Sequence, residues 1–184
     1  VNVIRARSEK DTTVAMQTNG RDGPSAPVLR REAVAIVTGG SFGAGREIAC
    51  ALAGWGWAIV VVYLEHQRTA EETVAEILAA EGTIVAVRAD LADDLDVQRL
   101  FAESSAAFGG VDVVVHTTTN SPSFLYQHAA RHVRRRGAII SVGPAHRVTP
   151  GVARELGERD ISVRGTGAEE ALSFLDRWRR RTIS

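Results

Sequence analysis

Thr38, Gly39, Gly43 and Gly45, spaced as Thr-Gly-x-x-x-Gly-x-Gly, are the residues of this chain whose types and spacing point most directly at chemistry. Glycine at such places lets the backbone come close to a phosphate, since a side chain would hold it off or keep the next helix from packing on the preceding strand. Backbone N–H groups and the positive end of a helix then face the anion. With Ser41, Phe42 and Ala44 between them, these residues form a turn suited to the pyrophosphate of a dinucleotide. Other arrangements are weaker. His128 and His132 stand four apart, a spacing at which two imidazoles share a metal, but no glutamate lies between them and no third ligand is evident. No metal is expected.

The elements around the turn must hold it in place. Val34 to Val37 is an apolar run too short for a helix, stopped by Thr38-Gly39-Gly40 and followed by the helix-like Arg46 to Ala53. The rest of the chain alternates in the same way. Strands are expected near 33–38, 58–63, 83–88, 111–116, 138–142 and 160–164, and helices near 44–54, 68–81, 93–108, 122–136, 149–158 and 168–181. Such alternation predicts an α/β fold: a Rossmann-like, doubly wound parallel sheet of about six strands with helices on both faces and right-handed crossovers. The sheet's exposed edge is a candidate for pairing with a partner protein or a second copy.

These segments, taken in order from residue 33 to about 175, resemble the short-chain dehydrogenase/reductase family. The resemblance rests on the Thr38 to Gly45 loop, on Val60-Val61-Val62 ending at Tyr63, and on Thr83 to Leu91 with its Asp90-Leu91 pair. It continues through Val111 to Val115, Gly137 to Gly143 and Val152 to Val163. It implies an NAD(P)-linked oxidoreductase fold. Cofactor contacts would come from Thr38, Gly39, Ser41, Phe42, Gly43, Ala44, Gly45, Tyr63, Asp90, Leu91 and His116, with Asp90-Leu91 beside the adenine ring. An acidic residue at the Tyr63 position would favour NAD; its absence leans toward NADP, with Arg46, His66 or Arg68 as phosphate partners. Glu65, two residues on, keeps NAD possible.

The same resemblance exposes an absence. The family's acid–base pair is Tyr-x-x-x-Lys, whose lysine lowers the tyrosine pKa. The single lysine here is Lys10, while Tyr63 and Tyr126 are followed four residues later by Gln67 and Ala130. Pro144 stands where the family's catalytic serine would fall, Ser141 comes too early, and His116-Thr117-Thr118-Thr119 replaces the family's Asn-Asn-Ala-Gly. The chain is also short between Thr119 and Phe124, by roughly one helix, and the helix that should carry the Tyr-Lys pair is cut to a stub near Thr149 to Gly157. No catalytic residue is assigned. The expectation is an NAD(P)-binding relative, oxidoreductase by family but catalytically impaired. The alternatives are a non-catalytic nucleotide-binding or partner subunit, or a decayed relative without independent function.

Composition narrows the setting. The 184 residues carry 22 basic and 22 acidic side chains, so no overall field gathers nucleic acid or anionic lipid. Cys50 is the single cysteine, expected to be a buried small residue, and fits a reducing, cytoplasmic compartment. No apolar stretch approaches the ~20 residues that span a bilayer. Residues 1–31, polar and ending near Gly23-Pro24-Ser25-Ala26-Pro27, read as a disordered tail before a domain at 32–184, with Met16 as an alternative start. Arg134 to Arg136 and Arg177 with Arg179 to Arg181 read as basic helix ends. Trp55 and Trp57 read as packing residues, and Asp112 as a strand-start or turn residue.

Overall fold

Runs of β-branched residues set the sheet. In the computed structural model, which describes residues 3–6, 33–117, 123–143 and 148–183, the strands are β1 (Val3–Ala6), β2 (Val34–Thr38), β3 (Ala58–Tyr63), β4 (Thr83–Arg88), β5 (Val111–His116), β6 (Val133–Val142) and β7 (Ser162–Thr166). The helices are α1 (Gly43–Gly54), α2 (Gln67–Ala79), α3 (Asp94–Phe108), α4 (Ser123–His132), α5 (Pro150–Glu158) and α6 (Ala168–Thr182). Strands β2 to β7 are parallel, and the sheet order is β1-β4-β3-β2-β5-β6-β7.

Alternation along each strand sorts side chains to the two faces. Val37, Ile59, Val61, Val115 and Ile140 pack with Ile48 and Leu52 of α1, Val74 and Ile77 of α2 and Leu175 and Trp178 of α6. Ile36, Val60, Val114 and Ile139 pack with Leu100 and Phe101 of α3, Leu125 and Ala129 of α4 and Val152 and Leu156 of α5. Both faces are therefore covered, which is why strands such as Ala58–Tyr63 are buried at every position. Trp57 is buried against Trp178, with ring centroids 5.6 Å apart, and Arg179 lies over the Trp55 ring, in keeping with a packing role for both tryptophans. Among the described residues no helix is long and apolar enough to cross a membrane.

The structure departs from the sequence reading in three places. The sheet has seven strands, because Val3–Ala6 adds antiparallel to β4, Val3 opposite Val87 and Ala6 opposite Ile84. Those four residues lie in the stretch read as a tail, the rest of which, residues 1–2 and 7–31, lies outside the described residues. The helix expected to reach residue 136 stops at His132, since Val133 pairs with Val111 and the register then shifts so that Ala138 pairs with Val113. Arg134 to Arg136 thus sit in an irregular stretch of β6 rather than at a helix end, with Arg136 at φ 65°. Cys50 is half-buried on α1 rather than in the core, and that burial pushes its thiol pKa up.

Asp112 does more than start a strand. Its Oδ2 accepts from the Val34 amide at 2.9 Å and from Arg134 Nη1 at 2.6 Å. One carboxylate therefore ties the beginnings of β2 and β5 to β6. At the far side of the sheet, β7 forms an edge with Ser162, Val163 and Arg164 exposed.

Candidate nucleotide-binding site

The turn between β2 and α1 has the backbone geometry its glycines imply. Gly39 and Gly43 adopt φ 64° and 51°, the left-handed region open to glycine at little steric cost. At Gly45 an added Cβ would collide with the Gly39 carbonyl and lie 2.8 Å from Thr117 Oγ1, so close helix–strand approach requires glycine there. Above Gly43 there is open space, with nothing within 4 Å of a Cβ built on it. Phe42, the residue before α1, is extended at φ −155° and gives no side-chain cap, and the first turn holds no acidic residue. The amides that begin α1 are therefore left for an external anion.

Two hydroxyl contacts brace this turn. Thr38 Oγ1 lies 2.8 Å from His116 Nδ1, both fully buried, and Thr117 Oγ1 donates to the Thr38 carbonyl at 2.6 Å. Gly39 donates its amide to the Val62 carbonyl at 3.2 Å. Thr38 and His116, from neighbouring strands, are thus brought to one place. Thr117 was not singled out from sequence, and its only signal was a hydroxyl directly after His116. Ser41 is buried and Ala44 half-buried in the same turn, while Phe42 is 55% exposed.

Beyond β3 the residues proposed to meet the adenosine divide. Tyr63 is buried in the core on the side of α1 and α2, where desolvation holds its phenol pKa above the ordinary value, so its side chain is committed to packing. Arg46 is bound to Glu76 of α2, with Nη2 and Oε2 2.5 Å apart, and Arg68 lies 3.2 Å from Glu72 on its own helix. Neither is a free phosphate partner. His66 is exposed and meets Phe42 edge-on, ring centroids 6.0 Å apart. Asp90 Oδ1 accepts from the Ala92 amide at 2.9 Å, and the Asp90 amide donates to Asp96 Oδ2 at 2.9 Å. That donation is the first cause of the lowered Asp96 pKa. Leu91 packs partly buried against the α3 side of the core. Arg88, at the end of β4 and opposite Tyr63, donates from Nε to the Leu64 carbonyl at 3.1 Å.

On the α3 side a polar row crosses the C-terminal end of the sheet. Thr38, His116 and Ser141 are consecutive register partners, all buried. Tyr126 of α4 covers them: its ring meets His116 at 6.5 Å and its hydroxyl interacts with Ser141, while burial raises its pKa. The described residues contain no lysine, and the chain's single lysine, Lys10, lies outside them. Pro144, Thr118 and Thr119 lie outside the described residues. His128 and His132 stack on one another at 5.7 Å, and His128 Nε2 lies 2.9 Å from Asp94 Oδ1. Among the described residues no group of three or more metal-binding side chains forms.

The family model described as short chain dehydrogenase matches residues 33–160, well over half of the chain. The chain belongs to the short-chain dehydrogenase family. It is similar to the short chain dehydrogenase/reductase AacuN of Aspergillus aculeatus, 39% identical over 139 residues that cover 63% of this chain and 53% of AacuN. It is also similar to the hydroxynaphthalene reductase-like protein Arp2 of Metarhizium guizhouense, 33% identical over 130 residues covering 58% of this chain and 49% of that protein. This short-chain dehydrogenase therefore spans about half the length of the curated relatives it matches. Among solved structures it resembles a short chain dehydrogenase from Burkholderia cenocepacia in complex with NADP, with TM-score 0.63, 26% identity and coverage of 75% of this chain and 74% of that one. A Serratia marcescens short-chain dehydrogenase/reductase matches with TM-score 0.65, 27% identity and coverage of 75% and 74%.

Proposed function

We propose that this chain binds a nicotinamide dinucleotide at the Thr38 to Gly45 turn, NADP(H) ahead of NAD(H), and works as a nucleotide-binding or partner subunit rather than as an independent reductase. The observation that carries the reading is the turn itself: open space over Gly43 at the uncapped start of α1, and Gly45 packed against Gly39 and Thr117. The pyrophosphate would rest on the first-turn amides of α1. The bound cofactor would supply the hydride, and Thr38, His116 and Thr117 would hold the turn rigid around it. The absence of any Tyr-x-x-x-Lys pair supports impaired proton transfer. A single cysteine supports a reducing, cytoplasmic setting.

A second reading, reductase turnover by a rearranged set, draws on the buried row of Thr38, His116 and Ser141 beneath Tyr126. One experiment separates the two. The full chain is titrated with NADPH and with NADH, followed by nucleotide fluorescence and melting temperature, and then assayed for NADPH oxidation over a broad carbonyl panel. Saturable binding that raises the melting temperature with ligand, lost in Gly43→Trp and unaccompanied by turnover, is expected. Carbonyl-dependent oxidation would favour the second reading. No binding by a cooperatively folded chain would sink both.

A further inference from the structure

We infer that Arg88 reads the 2′-phosphate of the dinucleotide, and so sets the preference for NADP(H). The inference rests on the nucleotide reading of the Thr38 to Gly45 turn and adds a residue from a neighbouring strand to it. Arg88 ends β4 directly opposite Tyr63, the last residue of β3, and its side chain is exposed. Its Nε donates to the carbonyl of Leu64, the first residue beyond β3, at 3.1 Å. That bond holds the guanidinium at the strand exit where a Rossmann fold places the adenosine ribose. The terminal nitrogens have no ion-pair or hydrogen-bond partner among the described residues.

Two of the three candidate cations named from sequence, Arg46 and Arg68, stand in ion pairs, and the third, His66, meets Phe42 edge-on. Arg46 is taken by Glu76 and Arg68 by Glu72. Of the three arginines, only Arg88 has no carboxylate ion pair among the described residues: its Nε bond to a carbonyl fixes its direction, and Asp96 feels its charge only at longer range, an arrangement that suits a phosphate dianion. Two further features agree. The helix that follows β3, α2, has neither a side-chain cap from His66 nor an acidic residue in its first turn, which favours an anion near its start. Arg88 is close enough to Tyr63 to oppose the rise in that phenol's pKa. The counterweight is Glu65, an exposed carboxylate between Leu64 and His66, which would accept from a ribose 2′-hydroxyl and repel a 2′-phosphate.

The test compares ligands that differ only by the phosphate in question. Affinities of the full chain for NADPH against NADH, and for adenosine 2′,5′-bisphosphate against 5′-AMP, are measured by calorimetry for the wild type, Arg88→Gln, Arg88→Lys, Glu65→Gln and the control Arg68→Gln. Loss of one charged hydrogen-bonding partner predicts that Arg88→Gln weakens NADPH and the bisphosphate about tenfold to a hundredfold. NADH and 5′-AMP should stay within about twofold, since no phosphate contact is lost. Arg88→Lys should recover part of the preference, Glu65→Gln should increase it, and Arg68→Gln should leave it alone. An unchanged NADPH-to-NADH ratio in Arg88→Gln overturns the inference, as does equal weakening of all four ligands at an unaltered melting temperature. If the wild type binds the two adenosine phosphates equally but binds both dinucleotides, Arg88 is ruled out while the nucleotide reading stands. Binding of none of the four overturns that reading itself.

Discussion

The first half of the sheet, β2 to β4 with α1 to α3, and the second half, β5 to β7 with α4 to α6, are built to different standards. Helices α1, α2 and α3 run for 12, 13 and 15 residues, whereas α4 and α5 run for 10 and 9 and in the second half only α6, with 15, matches them. The proposed phosphate site is backbone from a single contiguous segment, Gly39 to Gly45, braced by the side chains of Thr117 and, through Thr38, His116. Acid–base chemistry in general needs side chains gathered from several segments, so under the proposed reading the two functions rest on different parts of the fold.

The sharpest way to break the comparison is to cut what joins the halves. Asp112 Oδ2 accepts from both the Val34 amide and Arg134, and all three groups are at least partly shielded. Asp112→Ala should destabilise the chain by about 2–4 kcal/mol, because it strands a guanidinium and an amide at once. The expected readout is a lower urea midpoint with unchanged slope. A midpoint within error of the wild type would mean that the two halves are held by the sheet ladder alone.

Next in size is a matched pair of glycines. A Cβ at Gly45 collides with the Gly39 carbonyl, and one at Gly137 collides with the Asp112 carbonyl and Val133. Either alanine should cost about 1–3 kcal/mol of strain. Only Gly45→Ala should also weaken nucleotide binding, since only it moves the turn. Equal loss of nucleotide affinity in Gly137→Ala would show that the halves are not functionally separate.

Much of this arrangement was legible in the sequence, for reasons that also explain the misses. Strands β2 to β5 are dense β-branched runs bounded by glycine or polar residues, and their expected and observed bounds agree within a residue. Val133 to Arg136 was misread because His-Ala-Ala-Arg-His-Val-Arg-Arg-Arg continues a helical pattern, and only pairing with Val111 turns it into strand. Val3–Ala6 has no local signal beyond two aliphatic residues; its strand state exists through β4. Tyr63 and Arg88 are the telling case at the candidate site. They are register neighbours at two strand ends, yet one is buried and the other exposed, and spacing along the chain carries no information about that. The Arg46 ion pair was equally illegible, since its partner Glu76 lies thirty residues away in sequence.

Helix caps give a smaller contrast between the halves. Asp93 accepts from the amides of Leu95 at 2.8 Å and Asp96 at 3.1 Å at the start of α3, while Thr149 accepts from Val152 at 3.5 Å at the start of α5. Asp93→Ala should cost about 1–2 kcal/mol and Thr149→Ala about 0.5 kcal/mol, the lower end of the range for caps. Thermal melts of the two variants measure both. A larger loss in Thr149→Ala would mean that α5 is more than a weakly held stub.

The least effect, and the one confined to the second half, is a pH dependence at the α3–α4 contact. His132, on the exposed side of α4, stacks on Phe101 and on His128, and its pKa is lowered first by partial desolvation in that stack and then by His128, Arg159 and Arg131, against the opposing charge of Glu155. A base whose folded pKa lies below its unfolded value binds its proton more readily when unfolded. Its contribution is therefore intact above the ordinary histidine value of about 6.5 and is lost as pH falls below it. Melting temperature should drop between pH 8 and pH 5.5, and His132→Phe, which keeps an aromatic ring beside Phe101, should flatten that slope. Nucleotide affinity above pH 6.5 should be the same in both proteins, because His132 touches nothing in the turn. A slope unchanged by His132→Phe would assign the acid sensitivity to another group.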